Sequence, residues 1–291
     1  MAKVFVTGSI PETGIEMLKA KGYELVSSIS DADAVVTQLN DVVDAAFLDQ
    51  APNLKIVANY AVGFNNIDLE ATKKRNIFAT NTPEVLTNTT AEYTVALMFA
   101  IMRRVAEADR YVRAGKFVGF DSDLLLGADL IGKTLGIIGA GRIGSRVGEI
   151  AKAIGMTVIM AGPDDKPEDI LPKCDVVSLH VPLLDSTKHL INESRLALMK
   201  PTAFLINTSR GPVVDEAALA TALKNGVIRG AALDVYEFEP KVNLDLLSLE
   251  NVVLSPHIAS GSLETRIKMS ELVATNIIEA LEGRTPPNLV K

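Results

Sequence analysis

The segment LGIIGAGRIGSRVGEIAKAIG carries the residues with the plainest chemical implication: an apolar run leads into Gly139, Gly141 and Gly144, then into a stretch of helical periodicity. Glycines at this spacing permit a tight turn, let the backbone approach a pyrophosphate and allow strand and helix to pack closely, while N–H groups at the helix start attract the anion. The chemistry implied is dinucleotide binding. Ordinary turns produce the same bare pattern, so the weight lies on the strand-turn-helix context. A ribose-binding carboxylate is expected where the next strand ends. There the chain reads MTVIMAGPDDKPED, with Gly162 at the usual position and Asp164 and Asp165 just beyond it. Asp164 is the candidate for the 2′-hydroxyl; a solvated turn would read the same. The groups that titrate near neutral pH are three histidines, His180, His189 and His257. His257 follows the apolar run VVLSP and His180 ends another, whereas His189 is expected on the surface. Taken alone, none differs from a structural polar residue at a strand end.

The elements that must carry these residues alternate along the chain, apolar runs with amphipathic stretches, as in an α/β protein with parallel sheets. One series predicts strands at Lys3–Thr7, Tyr23–Val26, Ala34–Thr37, Lys55–Ala58 and Ile77–Ala79, with helices beginning near Pro11 and Ile67. A second predicts strands at Leu135–Ile138, Met156–Met160, Val176–Leu179, Ala203–Ile206, Gly230–Leu233 and Val252–Leu254, with helices at Arg142–Ala153, Glu193–Met199 and Asp215–Asn225. A long helical pattern, Thr89–Ala114, separates the two and is the expected domain connector. A last helix, Leu263–Leu281, stops at Gly283, Pro286 and Pro287 and is expected to return to the first domain.

Composition narrows the function classes. The 291 residues carry 29 Lys and Arg against 36 Asp and Glu, a net charge of −7, which opposes binding to nucleic acid. No apolar run is long enough to span a bilayer, and the lone cysteine, Cys174, allows no intrachain disulfide. The cytoplasm is the expected location.

Further motifs complete the pattern: NYAVGFNNID from Asn59, NTPEVLTNTTAEY from Asn81, HVPLLDSTKHLI from His180, INTSRGPVVDEAAL from Ile206, GAALDVYEFEP from Gly230 and NVVLSPHIAS from Asn251. With GAGRIG they resemble, over nearly the whole chain, the D-isomer-specific 2-hydroxyacid dehydrogenases, and among them the glyoxylate and hydroxypyruvate reductases. That resemblance implies a discontinuous flavodoxin-like substrate domain (residues 1–88 and 262–291) and a Rossmann-type coenzyme domain (89–261), with the active site between them. It implies Arg210, Glu239 and His257 as the catalytic residues. His257 suits a general acid, Glu239 would orient and charge it, and Arg210 can hold the substrate carboxylate and polarise the carbonyl. Glu237 is the rival to Glu239 and is expected to be a solvated neighbour.

By the same resemblance NAD or NADP would lie along Thr90, the cradle Gly139, Gly141, Arg142, Ile143 and Gly144, the segment His180, Val181 and Pro182, and Thr187, Thr208, Ser209, Asp234 and Ala259, with Asp164 toward the ribose. Val62 and Gly63 would receive the carboxylate of a small 2-oxo acid. No metal ligands are implied, and a homodimer is, the apolar run YTVALMFAIM offering surface. D-3-Phosphoglycerate dehydrogenase, D-lactate dehydrogenase and a non-catalytic nucleotide-binding corepressor are the alternatives.

The chain departs from the family pattern where only Ala161 to Cys174 separates two coenzyme-domain strands, with no room for the additional edge strand. The connection still exceeds the roughly 10 to 12 residues a parallel crossover needs. With neither a clear ribose carboxylate nor a phosphate-binding Arg after Met160, loose cofactor selectivity is expected.

Overall fold

Apolar runs too short for helices become strands, all parallel, in a computed structural model that describes residues 1–290. In chain order the elements are β1 (Lys3–Val6), α1 (Glu12–Ala20), β2 (Glu24–Val26), β3 (Ala34–Thr37), α2 (Ala45–Asp49), β4 (Ile56–Asn59), α3 (Leu69–Lys74) and β5 (Phe78–Thr80). Then come α4 (Thr87–Met102), α5 (Val105–Arg113), β6 (Thr134–Ile138), α6 (Arg142–Ala153), β7 (Thr157–Ala161), α7 (Pro167–Ile170), β8 (Val176–Leu179) and α8 (Glu193–Leu196). The chain ends with β9 (Phe204–Asn207), α9 (Glu216–Lys224), β10 (Gly230–Leu233), α10 (Leu244–Leu247), β11 (Val252–Leu254) and α11 (Leu263–Leu281). Every expected strand is present within a residue of its expected bounds.

Met1–Leu86 and the chain from Ser260 onward form one compact unit. Its five-stranded sheet has the order β2-β1-β3-β4-β5, the flavodoxin-like arrangement. β3 and β4 are buried at every position, as parallel strands covered on both faces must be. Against this sheet α1 lies close to α11: Ser270 Oγ donates to the Pro11 carbonyl at 2.7 Å and accepts from Gly14 N–H at 3.1 Å. A Cβ on Gly14 would sit 2.4 Å from the Ser270 carbonyl oxygen.

Thr87–Ala259 form the second unit, whose six-stranded sheet has the order β11-β10-β9-β8-β6-β7. The order doubles back between β6 and β8, the switch point beside which open α/β sheets bind ligands. Among the described residues no strand lies outside β7, so the short connection after it does delete the edge. α7 and a 3₁₀ turn at Leu171–Lys173 make the crossing, and Ile170, Leu171 and Cys174 pack into the core. Cys174 Sγ fills the space beside Gly136, 2.5 Å from where a Cβ would be, and burial pushes its thiol up to about 11. It is a packing residue, inert as a nucleophile.

The long connector helix is corrected to two. α4 ends at Met102 because Ala128 N–H takes the Met102 carbonyl at 2.8 Å and Arg104 adopts a left-handed φ of 54°. Arg104 Nε and Nη2 each reach the Glu107 carboxylate at 2.7 Å, bracing the bend. Most of YTVALMFAIM is interior: Leu97, Met98, Ile101 and Met102 pack with Leu135, Ile206 and Ala232.

Replacing Gly14 by alanine forces backbone apart at the α1–α11 contact. Gly14→Ala is expected to cost about 1–3 kcal/mol, read as a lower denaturant midpoint; an unchanged midpoint would mean that α1 can slide along α11 freely.

Candidate active site

Three adjacent strands end level with one another, since Leu233 of β10 pairs with Asn207 of β9 and with Leu254 of β11. The loops that leave these ends carry Arg210, Glu239 and His257. Each loop is held by a buried polar residue at the strand's end.

After β9, the almost wholly buried Asn207 turns its amide on Ser209 and Arg210. Its Oδ1 accepts from Ser209 N–H at 3.0 Å and from Ser209 Oγ at 2.8 Å, and its Nδ2 donates to the Arg210 carbonyl at 2.9 Å. Arg210 Nη1 in turn donates to the Ser209 carbonyl at 2.7 Å. A Cβ on Gly211 would fall 1.8 Å from the Tyr236 carbonyl oxygen, so the loop after β9 presses directly on the loop after β10.

After β10, Asp234 is fully buried. Its Oδ1 accepts from Ser255 Oγ at 2.6 Å and Ile258 N–H at 2.9 Å, and its Oδ2 from Ala259 N–H at 2.7 Å. These bonds enclose His257, whose φ of 55° is left-handed. Such a backbone costs a residue with a Cβ roughly 1–2 kcal/mol, and the Asp234 bonds offset it.

Within this frame His257 Nδ1 lies 2.8 Å from Glu239 Oε2, while Glu239 Oε1 accepts from Tyr236 N–H at 3.0 Å. Burial alone would raise the Glu239 carboxyl; the hydrogen bond and charge of His257, the Tyr236 N–H and the Arg210 guanidinium outweigh it and hold the group below the usual range. Burial pulls the Arg210 guanidinium down and the Glu239 charge pulls it back. With Nδ1 given to the carboxylate, Nε2 is the nitrogen left to move a proton.

The glycine cradle takes its expected form at the start of α6. Cβ atoms on Gly139 and Gly144 would come within 2.6 Å of the His180 carbonyl group and 2.2 Å of the Gly139 carbonyl oxygen. Beside Gly141 there is open space. Two glycines are therefore demanded by the protein itself, whereas the third, at the cap of α6, leaves room for a phosphate against the first-turn residues Arg142 and Ile143.

After β8, Thr187 Oγ1 donates to the Pro182 carbonyl at 2.6 Å and accepts from Leu184 N–H at 2.8 Å, closing the loop that follows Val181. Thr94 Oγ1 donates to the Thr90 carbonyl and lies 2.8 Å from Thr208 Oγ1, so the Thr208 hydroxyl is the donor of that pair. Asp164 is exposed in a turn that Asp165 closes by accepting from Gly162 N–H at 2.7 Å.

In the other unit the carbonyls of Val62 and Gly63 accept from the amides of Asn81 and Asn59, each at 2.8 Å.

Glu237 is not a solvated neighbour. Its side chain is 11% exposed and its Oε1 lies 2.6 Å from His189 Nε2, so His189 also has a buried partner. Asn207, Ser255, Thr94 and Glu216 are further site-building residues with no signal in the sequence beyond their place in or beside the motifs.

The model for the D-isomer-specific 2-hydroxyacid dehydrogenase NAD-binding domain matches residues 95–259. A glyoxylate reductase of Thermococcus litoralis is 48% identical over 319 residues, spanning 99% of this chain and 96% of its own length. The chain belongs to the D-isomer-specific 2-hydroxyacid dehydrogenases. It is thus an oxidoreductase dependent on NAD or NADP. That alignment is longer than the 291 residues present, in keeping with the shortened coenzyme sheet. Among solved structures, a protein from Thermus thermophilus superposes with a TM-score of 0.95 at 40% identity, covering 99% of this chain and all of its own. An NADPH-dependent glyoxylate/hydroxypyruvate reductase from Sinorhizobium meliloti, in complex with NADP and malonate, gives 0.90 at 32% identity, covering 99% of this chain and 96% of its own. Among the described residues no helix is long and apolar enough to cross a membrane.

Burial pushes the His180 imidazole down to about 4 from 6.5, and its Nε2 lies 2.9 Å from Ser178 Oγ. Because protonation then favours the unfolded chain, this stabilisation is full above 6.5 and is lost as the pH falls from there toward about 4. Denaturant midpoints of the wild type and His180→Asn should converge over that window; a constant gap would show that the imidazole is not held neutral.

Proposed function

We propose that this dehydrogenase is a glyoxylate reductase that also accepts hydroxypyruvate, using NADH or NADPH. The observation that carries the reading is the His257–Glu239 pair at 2.8 Å, set with Arg210 at the ends of three adjacent strands. When bound, a reduced nicotinamide supplies the hydride to the carbonyl carbon of a 2-oxo acid. His257 Nε2 donates the proton to the carbonyl oxygen as negative charge develops there. Glu239, held ionised, keeps the imidazole oriented through its bond to Nδ1. Arg210 grips the substrate carboxylate and polarises the carbonyl through its fork of donors. By the family resemblance we assign the N–H groups of Val62 and Gly63 to substrate carboxylate binding; their carbonyls are held by Asn81 and Asn59. The unit built on Thr87–Ala259 is then the coenzyme domain and the other the substrate domain. The intact proton-transfer pair speaks against a purely nucleotide-binding role.

The cofactor contacts are proposed as the cradle Gly139–Gly144, the His180–Pro182 segment, Thr90, Thr187, Thr208, Ser209, Asp234 and Ala259. Weak selection between NADH and NADPH follows from the bare edge at β7 and from a turn whose Asp165 is engaged with its own backbone, leaving exposed Asp164 as the ribose candidate. The protein is proposed to act in the cytoplasm.

A homodimer accounts for the exposed apolar side chains carried by α4, α5 and the chain that leads to β6: Phe99, Val105, Val112, Phe117, Phe120 and Ile131. They form a better candidate interface than YTVALMFAIM, which is mostly buried. Light scattering at micromolar concentration should give twice the chain mass, and a monomer would reject this assignment.

Oxidation of NADH and NADPH, followed at the nicotinamide absorbance with a panel of 2-oxo acids, tests the activity. Glyoxylate and hydroxypyruvate should turn over with either nucleotide, and His257→Ala should lower kcat by about 10²- to 10⁴-fold with little change in nucleotide affinity. Absence of turnover with every 2-oxo acid would sink the reading; near-normal turnover in the variant would move the acid elsewhere.

A further inference from the structure

Glu239 rides on a loop with little regular structure, and its distance to His257 depends on what fixes that loop. The loop leaves β10 at Asp234 and enters α10 after Asn243, the N-cap whose Oδ1 accepts from Asp245 N–H. Two points on it, Glu237 and Asn243, converge on one side chain. Glu216, in the first turn of α9, is 6% exposed. Its Oε2 accepts from Glu237 N–H at 2.8 Å and its Oε1 from Asn243 N–H at 2.6 Å. The Glu216 N–H returns a bond of 3.3 Å to Glu237 Oε2. A single buried carboxylate thus spans the segment from 237 to 243, with Glu239 in its middle.

The setting tolerates the charge. The first turn of a helix favours an anion, both Glu216 oxygens accept from backbone N–H, and the neighbouring Glu237 carboxylate is taken up by His189 at 2.6 Å. Asp215, 4.0 Å from His189 Nδ1, completes the group. The N-cap bond of α9 is supplied separately, by Asp215 Oδ1 accepting from Ala218 N–H at 2.9 Å, so the two Glu216 oxygens are spent on the loop.

We propose that Glu216 is a positioning residue of the active site: by tying together the two ends of the Glu237–Asn243 loop, it holds Glu239 Oε2 in hydrogen-bond contact with His257 Nδ1. The inference rests on the roles given above to Glu239 and His257. Glutamine at 216 has one accepting oxygen where the carboxylate has two, and its NH₂ would face a backbone N–H, so Glu216→Gln releases one loop end at almost unchanged volume. Alanine releases both.

Two measurements test this. In the unliganded protein, the downfield proton resonance of the His257 Nδ1–H bonded to Glu239, identified by its loss in His257→Ala, should move upfield or broaden in Glu216→Gln and more so in Glu216→Ala. That readout needs neither substrate nor cofactor, so it stands even if no 2-oxo acid is turned over. In turnover, Glu216→Gln should lower kcat by about tenfold, a modest misplacement of the acid, with substrate KM and nucleotide affinity near wild type. The double variant Glu216→Gln/Glu239→Gln should be no slower than Glu239→Gln alone, because the first residue acts through the second. Near-ultraviolet circular dichroism confirms which variants fold, and Glu216→Gln carries the test if Glu216→Ala does not. An unmoved His257 resonance in a folded Glu216→Gln, or fully additive losses in the double variant, overturns the proposal.

Discussion

Asp234 is the constraint from which the site is built. A carboxylate removed from water is costly unless hydrogen bonds replace its hydration, and here a hydroxyl and two backbone N–H groups do so, all from the segment Ser255–Ala259. The requirement runs both ways: the buried charge needs those donors, and the left-handed turn at His257 needs something to hold it. Because β9, β10 and β11 end in register, a residue just beyond β10 is within reach of the loop beyond β11 without any insertion. The same geometry lets Asn207 set Arg210 and lets Gly211 press against Tyr236. Rigid parallel strands thereby fix the origin of each loop, and one buried polar side chain fixes its course.

What could be read beforehand follows from how each feature is encoded. Parallel strands covered on both faces are near-continuous apolar runs bounded by turn residues, which is why β8 and β9 stood out. The omission of the edge strand was also visible, as too few residues between β7 and β8. The break between α4 and α5 was not. Arg103 and Arg104 are good helix formers, and the bend is imposed by Ala128 taking the last carbonyl of α4 from a distance in sequence. The single turns α7 and α10 are shorter than the window in which periodicity can be recognised, and of the expected Glu193–Met199 helix only Glu193–Leu196 forms.

The site divides in the same way. The cradle glycines have a local signature, while Arg210, Glu239 and His257 became readable only through their motifs, since an arginine, a glutamate and a histidine after three strands have no pattern of their own. Asn207, Ser255 and Glu216 were missed because what matters is the backbone group each one meets. For Glu216 that group lies 21 and 27 residues away, and a glutamate at the start of a helix reads simply as a favourable first-turn acid. Glu237 was misjudged for the complementary reason: its partner His189 comes from another loop.

The two halves of the proposed chemistry are thus unequally built. Around His257 the carboxylates of Asp234 and Glu239 are held by backbone donors whose positions the sheet dictates; such an arrangement pays its reorganisation cost on folding rather than during reaction. At the other side of the coenzyme unit, β7 is an uncovered edge followed by an exposed turn that satisfies itself through Asp165. A site whose reacting end is over-determined and whose nucleotide end is thin places its specificity in the chemistry, with the adenosine moiety adding less than it would against a full wall. A short edge at β7 is tolerable on these terms: the loops that carry Arg210, Glu239 and His257 leave β9, β10 and β11 on the opposite side of the sheet, so the register that aligns them does not depend on what lies beyond β7.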